Sequence, residues 1–342
     1  MKAAILVEQK KPLVIADIKL PAKLQYGQVL VKVICSGICG SQIGEIDGVK
    51  GADKYLPHLL GHEGGGIVSD VGPGVSYLKK GDHVVLHWRK GIGIESAAAK
   101  YRWADKIVNS GWVTTFNEYA VVSENRLTAI PKDVDFEIAA LMGCAVTTGL
   151  GVVNNDARLK IGESIVVFGS GGVGLNIIQG AALVSADPII AVDIYDNKLK
   201  LAKDFGATHL INSHKSDAKI EIQKILGMRG SEVVVDNTGN VDVINQAYEL
   251  TSNSGRTVLV GVPRMGEKIS IYSLPLHFEK KIYGSHGGSS NPSLDIPRYL
   301  KLHKRGILKL KGMITETFSL EQINDAIEGM RRGRILKCII KM

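Results

Sequence analysis

Cysteine is scarce in this chain: 342 residues contain only Cys35, Cys39, Cys144 and Cys338. So few thiols in so long a chain exclude a disulfide framework, and a special cysteine here reads as a ligand or a nucleophile. Long apolar runs are missing too. No stretch approaches the roughly 20 uninterrupted apolar residues that span a bilayer. The opening segment, MKAAILVEQKKPLVIADIKL, lacks a signal-peptide cleavage region and reads as strand and turn, so the expected location is cytoplasmic, with no membrane partner. No internal repeat, low-complexity tract or flexible linker interrupts the chain, so its organisation is sought in packed domains.

What is present fits a globular protein: 45% hydrophobic and 22% charged residues, with length enough for two domains. The net charge is +8. Basic residues cluster late, at Lys301, Lys304, Arg305, Lys309 and Lys311, then at Arg331, Arg332, Arg334 and Lys337. Acidic residues are spread through the same regions and no nucleic-acid module accompanies them, so this reads as a solvated basic face with no nucleic-acid partner. Such a field favours anionic ligands, a dinucleotide among them.

The first 140 or so residues read as β-rich. Short apolar runs (QVLVKVI, GGGIVSDV, DHVVLHW, NEYAVVS) are separated by glycine, proline and charged turns. From about residue 147 strands and helices alternate. SIVVF (164–168) reads as a buried strand, Leu175 to Leu183 as a helix, PIIAVD (188–193) as a strand and NKLKLAKDFG (197–206) as an amphipathic helix closed by Gly206. THLIN, SEVVVDN and RTVLVGV supply further strands. This is the grammar of a parallel sheet covered on both faces, an α/β doubly wound fold. Later come a helix at 299–305, another near 319–331, and a terminal strand in LKCIIKM. The expected division is a β-rich catalytic domain from 1–146 and 287–342, with a Rossmann domain at 147–286 between them.

Gly169-Ser-Gly-Gly-Val-Gly174 matches GxGxxG. Alone that is weak, but it follows a strand, opens a helix and precedes Asp193 by about 20 residues, which is the Rossmann fingerprint. Gly169 permits the tight turn, and Gly171, with Gly172 and Val173 beside it, lets the backbone approach a pyrophosphate at a helix N-terminus. Gly174 allows close helix–strand packing. Asp193 can accept both ribose hydroxyls of an adenosine and repels a 2′-phosphate, which favours NAD over NADP. Lys198 reads equally as a flank to that ribose or as a surface lysine.

Cys39, His62 and Cys144 form a second constellation. Their spacing does not by itself identify a metal site, and composition alone reads them as buried thiols and a hydrogen-bonded histidine. Their surroundings are more specific: three glycines follow Gly61-His62-Glu63, and Ser41 stands two residues from the Cys39 thiol. Over nearly its whole length the chain resembles the zinc-containing medium-chain alcohol dehydrogenases. The resemblance is carried in order by GICGS (37–41), GHEGGG (61–66), VGPGVSYLKKGDHV (71–84), GCAVTTG (143–149), GSGGVG (169–174), VVDNTGN (234–240) and VGVP (260–263).

That resemblance implies a GroES-like catalytic domain beside the Rossmann domain, and a catalytic zinc on Cys39, His62 and Cys144. Two thiolates and a neutral imidazole make a site of zero net charge with one open position, where the metal acts as a Lewis acid on an alcohol or carbonyl oxygen. It further implies Glu63 as a neighbouring or transient ligand, Ser41 as the first proton acceptor and Thr148 near the nicotinamide. Val262 and the backbone around His286 and Gly288 fall where the carboxamide is held, and Lys337 where a basic residue meets the cofactor phosphates. The implied activity is hydride exchange between NAD and an alcohol, polyol or sugar, in a homo-oligomer (dimer or tetramer). Zinc-free quinone-reductase relatives of the same fold normally lack these three ligands, and a non-catalytic NAD-binding protein is the other alternative.

The chain also departs from that family. Many relatives bind a second, structural zinc on four close cysteines, whereas here no cysteine lies between 40 and 143, so one zinc per subunit is expected. Gln42 stands in place of an aspartate near the zinc histidine, its amide oxygen still able to accept a hydrogen bond. Gly44 replaces a proton-relay histidine. Trp88 aligns near the substrate. Lys50, His87 and Arg89 read either as a basic pocket mouth or as a solvated charge cluster.

Overall fold

QVLVKVICSG forms the longest strand of the β-rich part, Gln28–Gly37. Its alternation places Val29, Val31 and Val33 fully inside while Lys32 is exposed, the pattern of a strand with one wet face. These valines pack on Val68, Val84, Leu86 and Ala120. The strand pairs antiparallel with Glu63–Val71, with Tyr119–Ser123 and with the C-terminal strand Cys338–Lys341. It is the hub of a seven-stranded sheet. The last pairing sets Ile339 opposite Gly37 and so carries Lys337 to the segment before Cys39.

The computed structural model describes residues 1–342. They fall into two compact units, Met1–Ala145 with Asn291–Met342, and Val146–Ser290. The first holds the seven-stranded sheet and a five-stranded one built on Lys2–Leu6. It is not purely β: Gly40–Ile46 and Phe136–Met142 are helical, and Pro292–Lys304 and Ile323–Arg331 are longer helices near the C-terminus. The helix read as starting at 299 begins seven residues earlier. Pro292 occupies its first turn, where a missing N–H costs nothing, and Pro297 sits inside it.

In the second unit six strands run parallel in the spatial order His209–Asn212, Ile189–Asp193, Ile165–Phe168, Ser231–Asp236, Thr251–Leu259, Lys281–Gly284. The central strands are apolar throughout because both faces are covered: Ile165, Val166 and Val167 have no exposed surface. Helices Asp196–Asp204, Ala218–Leu226 and Val241–Leu250 alternate with the strands. Asp217 and Asn240 cap the last two by accepting backbone N–H groups of the first turn. The helix read from Leu175 starts at Gly172, because the glycine loop runs directly into it. No single helix is long and apolar enough to cross a membrane.

Candidate metal centre and dinucleotide loop

Three separate elements deliver the candidate ligands. Cys39 is the N-cap of the short helix Gly40–Ile46, directly after the longest strand. His62 precedes the strand Glu63–Val71, and Cys144 follows the helix Phe136–Met142. Gly61 takes φ +92°, and a Cβ there would lie 2.3 Å from Thr115 Oγ1, so only glycine turns the chain into His62. The ligand atoms of Cys39, His62 and Cys144 lie within 4.8 Å of one another.

The two sulfurs are 4.0 Å apart, close to the roughly 3.8 Å expected for thiolates bound at about 2.3 Å to a tetrahedral zinc. His62 Nε2 is buried with no hydrogen-bond partner. An orphaned imidazole nitrogen beside two soft sulfur donors fits zinc's donor preference. The hydrogen bond from Cys144, aided by His62, drives the Cys39 thiol well below its ordinary range, and the same bond pushes Cys144 up.

Beside this cluster lies an ion pair that sequence reading did not foresee. Lys337, expected at the cofactor phosphates, is 3% exposed. Its ammonium pairs with Glu63 Oε1 and donates to the Ile38 carbonyl at 2.9 Å. Burial alone would lower Lys337, but the charges of Glu63 and Cys39 outweigh it and hold the lysine above its usual value. Gly37 makes room for the pair, since a Cβ there would lie 2.9 Å from the Glu63 carboxyl carbon and 3.1 Å from Lys337 Nζ. Lys337, expected from the family resemblance at the cofactor phosphates, is thus engaged by Glu63 and the Ile38 carbonyl.

Gln42 does accept a hydrogen bond through its amide oxygen, but from the Gly61 backbone N–H. Its amide nitrogen donates to Glu45, which also pairs with Lys50. Ser41 Oγ lies 3.4 Å from Cys39 Sγ. Trp88 meets the His62 ring edge-on, centroids 6.4 Å apart, and the Arg89 guanidinium lies over Trp88. His87 is not part of a basic mouth. It is fully buried between the Arg89 carbonyl and Thr128 Oγ1, and desolvation pushes its pKa down to about 4, so it is neutral.

The thiol-free segment after Trp88 is organised by charge. Arg126, 1% exposed, bonds Glu95 at 2.8 Å and the Trp88 carbonyl, and lies 4.9 Å from the Trp112 ring centroid. Arg126 and Lys90 together hold Glu95 down at about 2, against a burial penalty that acts first and in the opposite sense. The buried carboxylate of Glu124 accepts the backbone N–H groups of Ser76, Tyr77 and Ile94. Nothing in the sequence separates Arg126 from the other basic residues, because its partner is 31 positions away.

In the second unit, Gly169 has φ +90°, and a Cβ on Gly174 would lie 1.9 Å from the Gly169 carbonyl. That position admits glycine alone. At Gly171 a Cβ would meet nothing within 4 Å, which leaves the loop backbone open at the N-terminus of the helix Gly172–Leu183. Asp193, at the end of its strand, accepts Ser170 N–H at 2.7 Å and Tyr195 N–H at 3.0 Å. Lys198 Nζ sits 4.8 Å from the Tyr195 ring centroid. Thr148 is buried on the helix Ala145–Gly151, while Val262 and His286 are exposed. Gly288 is buried, its N–H donating to Ser285 Oγ and its carbonyl accepting Asn155 Nδ2.

Comparison with known proteins agrees with this geometry. Residues 25–132 match the family model of the alcohol dehydrogenase GroES-like domain, and residues 172–305 that of the zinc-binding dehydrogenases. The chain is 31% identical to the S-(hydroxymethyl)glutathione dehydrogenase of Paracoccus denitrificans, with 99% of each chain covered. It is also 31% identical, with the same coverage, to the class-3 alcohol dehydrogenase of Cereibacter sphaeroides. Among solved structures, benzyl alcohol dehydrogenase from Acinetobacter calcoaceticus superposes with a TM-score of 0.90 at 29% identity, covering 100% of this chain and 99% of that one.

Proposed function

The chain belongs to the zinc-containing medium-chain alcohol dehydrogenase family, and from that premise we propose that Cys39, His62 and Cys144 hold its catalytic zinc. It is an NAD-dependent oxidoreductase that interconverts alcohols with aldehydes or ketones, using zinc and NAD. The observation that carries the ligand assignment is the gathering of three donor atoms within 4.8 Å around an unpartnered imidazole nitrogen.

When bound, zinc would supply Lewis acidity at the substrate oxygen and NAD would supply the hydride-accepting ring. The remaining work belongs to the chain. Ser41, beside Cys39, accepts the proton of the substrate hydroxyl as it releases its own onward, since a neutral serine hydroxyl is too weak a base to hold a second proton. Glu63 keeps its carboxylate beside the ligands, held by Lys337. The loop from Gly169 to Gly174 receives the pyrophosphate through its backbone, and Asp193 exchanges its bonds to Ser170 and Tyr195 for the ribose diol. Lys198 flanks that ribose. Thr148, Val262, His286 and Gly288 receive the nicotinamide end.

Two of the three similar proteins are named for compounds that carry their hydroxyl on a CH2 group, S-(hydroxymethyl)glutathione and benzyl alcohol. We therefore assign a primary alcohol and its aldehyde as the preferred pair, ahead of secondary alcohols, polyols and sugars. NADH formation across a panel of these alcohols tests the assignment, and preferential turnover of polyols or sugars would overturn it. We further assign a cytoplasmic homo-oligomer. The open edge strand Lys281–Gly284 follows a run with Met265, Tyr272, Leu274 and Phe278 exposed, a surface suited to self-association. Sedimentation of a single chain mass at micromolar concentration would contradict it.

A further inference from the structure

The turn after the edge strand Lys281–Gly284 is held by side chains of the helix Val152–Asp156. Gly287 and Gly288 both have φ 65°. The Gly288 N–H donates to Ser285 Oγ at 3.0 Å. Asn155 Nδ2 donates to the Gly288 carbonyl at 2.9 Å and lies 3.4 Å from the Ser289 carbonyl. Ser289 Oγ donates to Asp156 Oδ1 at 2.6 Å, and the Tyr283 hydroxyl donates to the Asp156 carbonyl at 2.8 Å. Backbone lies on backbone as well: a Cβ on Gly151 would lie 2.3 Å from the Gly288 carbonyl oxygen, and a Cβ on Gly288 would lie 2.3 Å from that of Thr148.

Asn155 and Asp156 end the wide-turn helix Val152–Asp156, which continues Ala145–Gly151 with π geometry. Both adjacent side chains reach the same loop, and π turns of this kind tend to sit at functional places. The loop itself stands at the carboxyl end of a parallel strand. Gly169 and Asp193 stand at the carboxyl ends of two other strands of the same sheet. Ligands of open α/β sheets bind along that edge.

We propose that Asn155 is a positioning residue for the nicotinamide end of NAD, fixing the peptide planes at Gly288 and Ser289 that receive it. This rests on the reading that the turn around His286 and Gly288 holds the carboxamide. Asn155 is itself exposed and its amide is directed at a carbonyl, so it acts through the turn and leaves the adenosine half untouched. Asp156 backs it by anchoring Ser289.

The test is titration of the zinc-loaded protein with NADH and with ADP-ribose, which lacks only the nicotinamide. Because Asn155 is exposed, Asn155→Ala is expected to fold, which circular dichroism checks. Its NADH dissociation constant should rise about 5–10-fold, the loss of one well-placed hydrogen bond, while that for ADP-ribose stays within about twofold. Asn155→Asp, of equal size but unable to donate to a carbonyl, should be at least as weak. Equal weakening of both ligands, or none for either, overturns the proposal while leaving the turn's role intact. If the unaltered protein binds NADH no more tightly than ADP-ribose, the turn does not grip the nicotinamide and both readings fall.

Discussion

Lys337 and Glu63 form an ion pair closed off from solvent, 274 residues apart in the chain and beside the three candidate metal ligands. The strand pairing of Ile339 with Gly37 brings the lysine there, and the missing side chain of Gly37 leaves it space. A pair of this kind is conditional: either partner alone is a buried, uncompensated charge.

Lys337→Met should therefore destabilise the protein by about 3–5 kcal/mol, and Glu63→Leu in the same chain should recover much of that loss. Urea unfolding of the two variants is the check. A single variant within 1 kcal/mol of the unaltered protein would mean that the carboxylate finds another partner or is neutral.

Asp193→Ser should weaken NAD binding by roughly 10–100-fold, the usual scale for lost hydrogen bonds to a charged acceptor. Removal of its charge should at the same time relax discrimination against NADP. Isothermal titration with both cofactors measures this, and unchanged affinities would remove Asp193 from the ribose site.

His87 predicts a pH dependence of stability. Its pKa is about 4 in the folded chain against 6.5 for a free imidazole, so between those values only the unfolded chain binds the proton. The contribution of the buried neutral ring is complete above pH 6.5 and is lost as pH falls toward 4. The stability advantage over His87→Gln should narrow by roughly 2–3 kcal/mol across that window. A gap constant with pH would contradict the buried neutral state.

Particular residues show how far the sequence carried. The parallel sheet was legible because its strands are apolar on both faces and Gly206 closes the helix between two of them, both local signals; the caps Asp217 and Asn240 were equally local and were not read. The family and its cofactors were legible because glycine motifs report close backbone approach, as at Gly174. Two prolines hid the first half of the helix Pro292–Lys304. What escaped entirely depends on distant partners. Lys337 looks like any basic residue until Glu63 is set beside it, and Arg126 until Glu95 and Trp112 are. His87 looks titratable until its burial is known. Gln42 promised a bond to an imidazole and made one to a backbone amide, a difference of one residue that spacing does not resolve.

A single zinc on Cys39, His62 and Cys144 is the proposed metal content, the segment after Trp88 holding no cysteine and being bound by Arg126, Glu95 and Glu124. Zinc per chain, measured by elemental mass spectrometry on the purified protein and on Cys39→Ser and Cys144→Ser, tests it most directly. About one zinc is expected in the unaltered protein and close to none in either folded variant. Two tightly held zincs in the unaltered protein, or full retention in both variants, would contradict it.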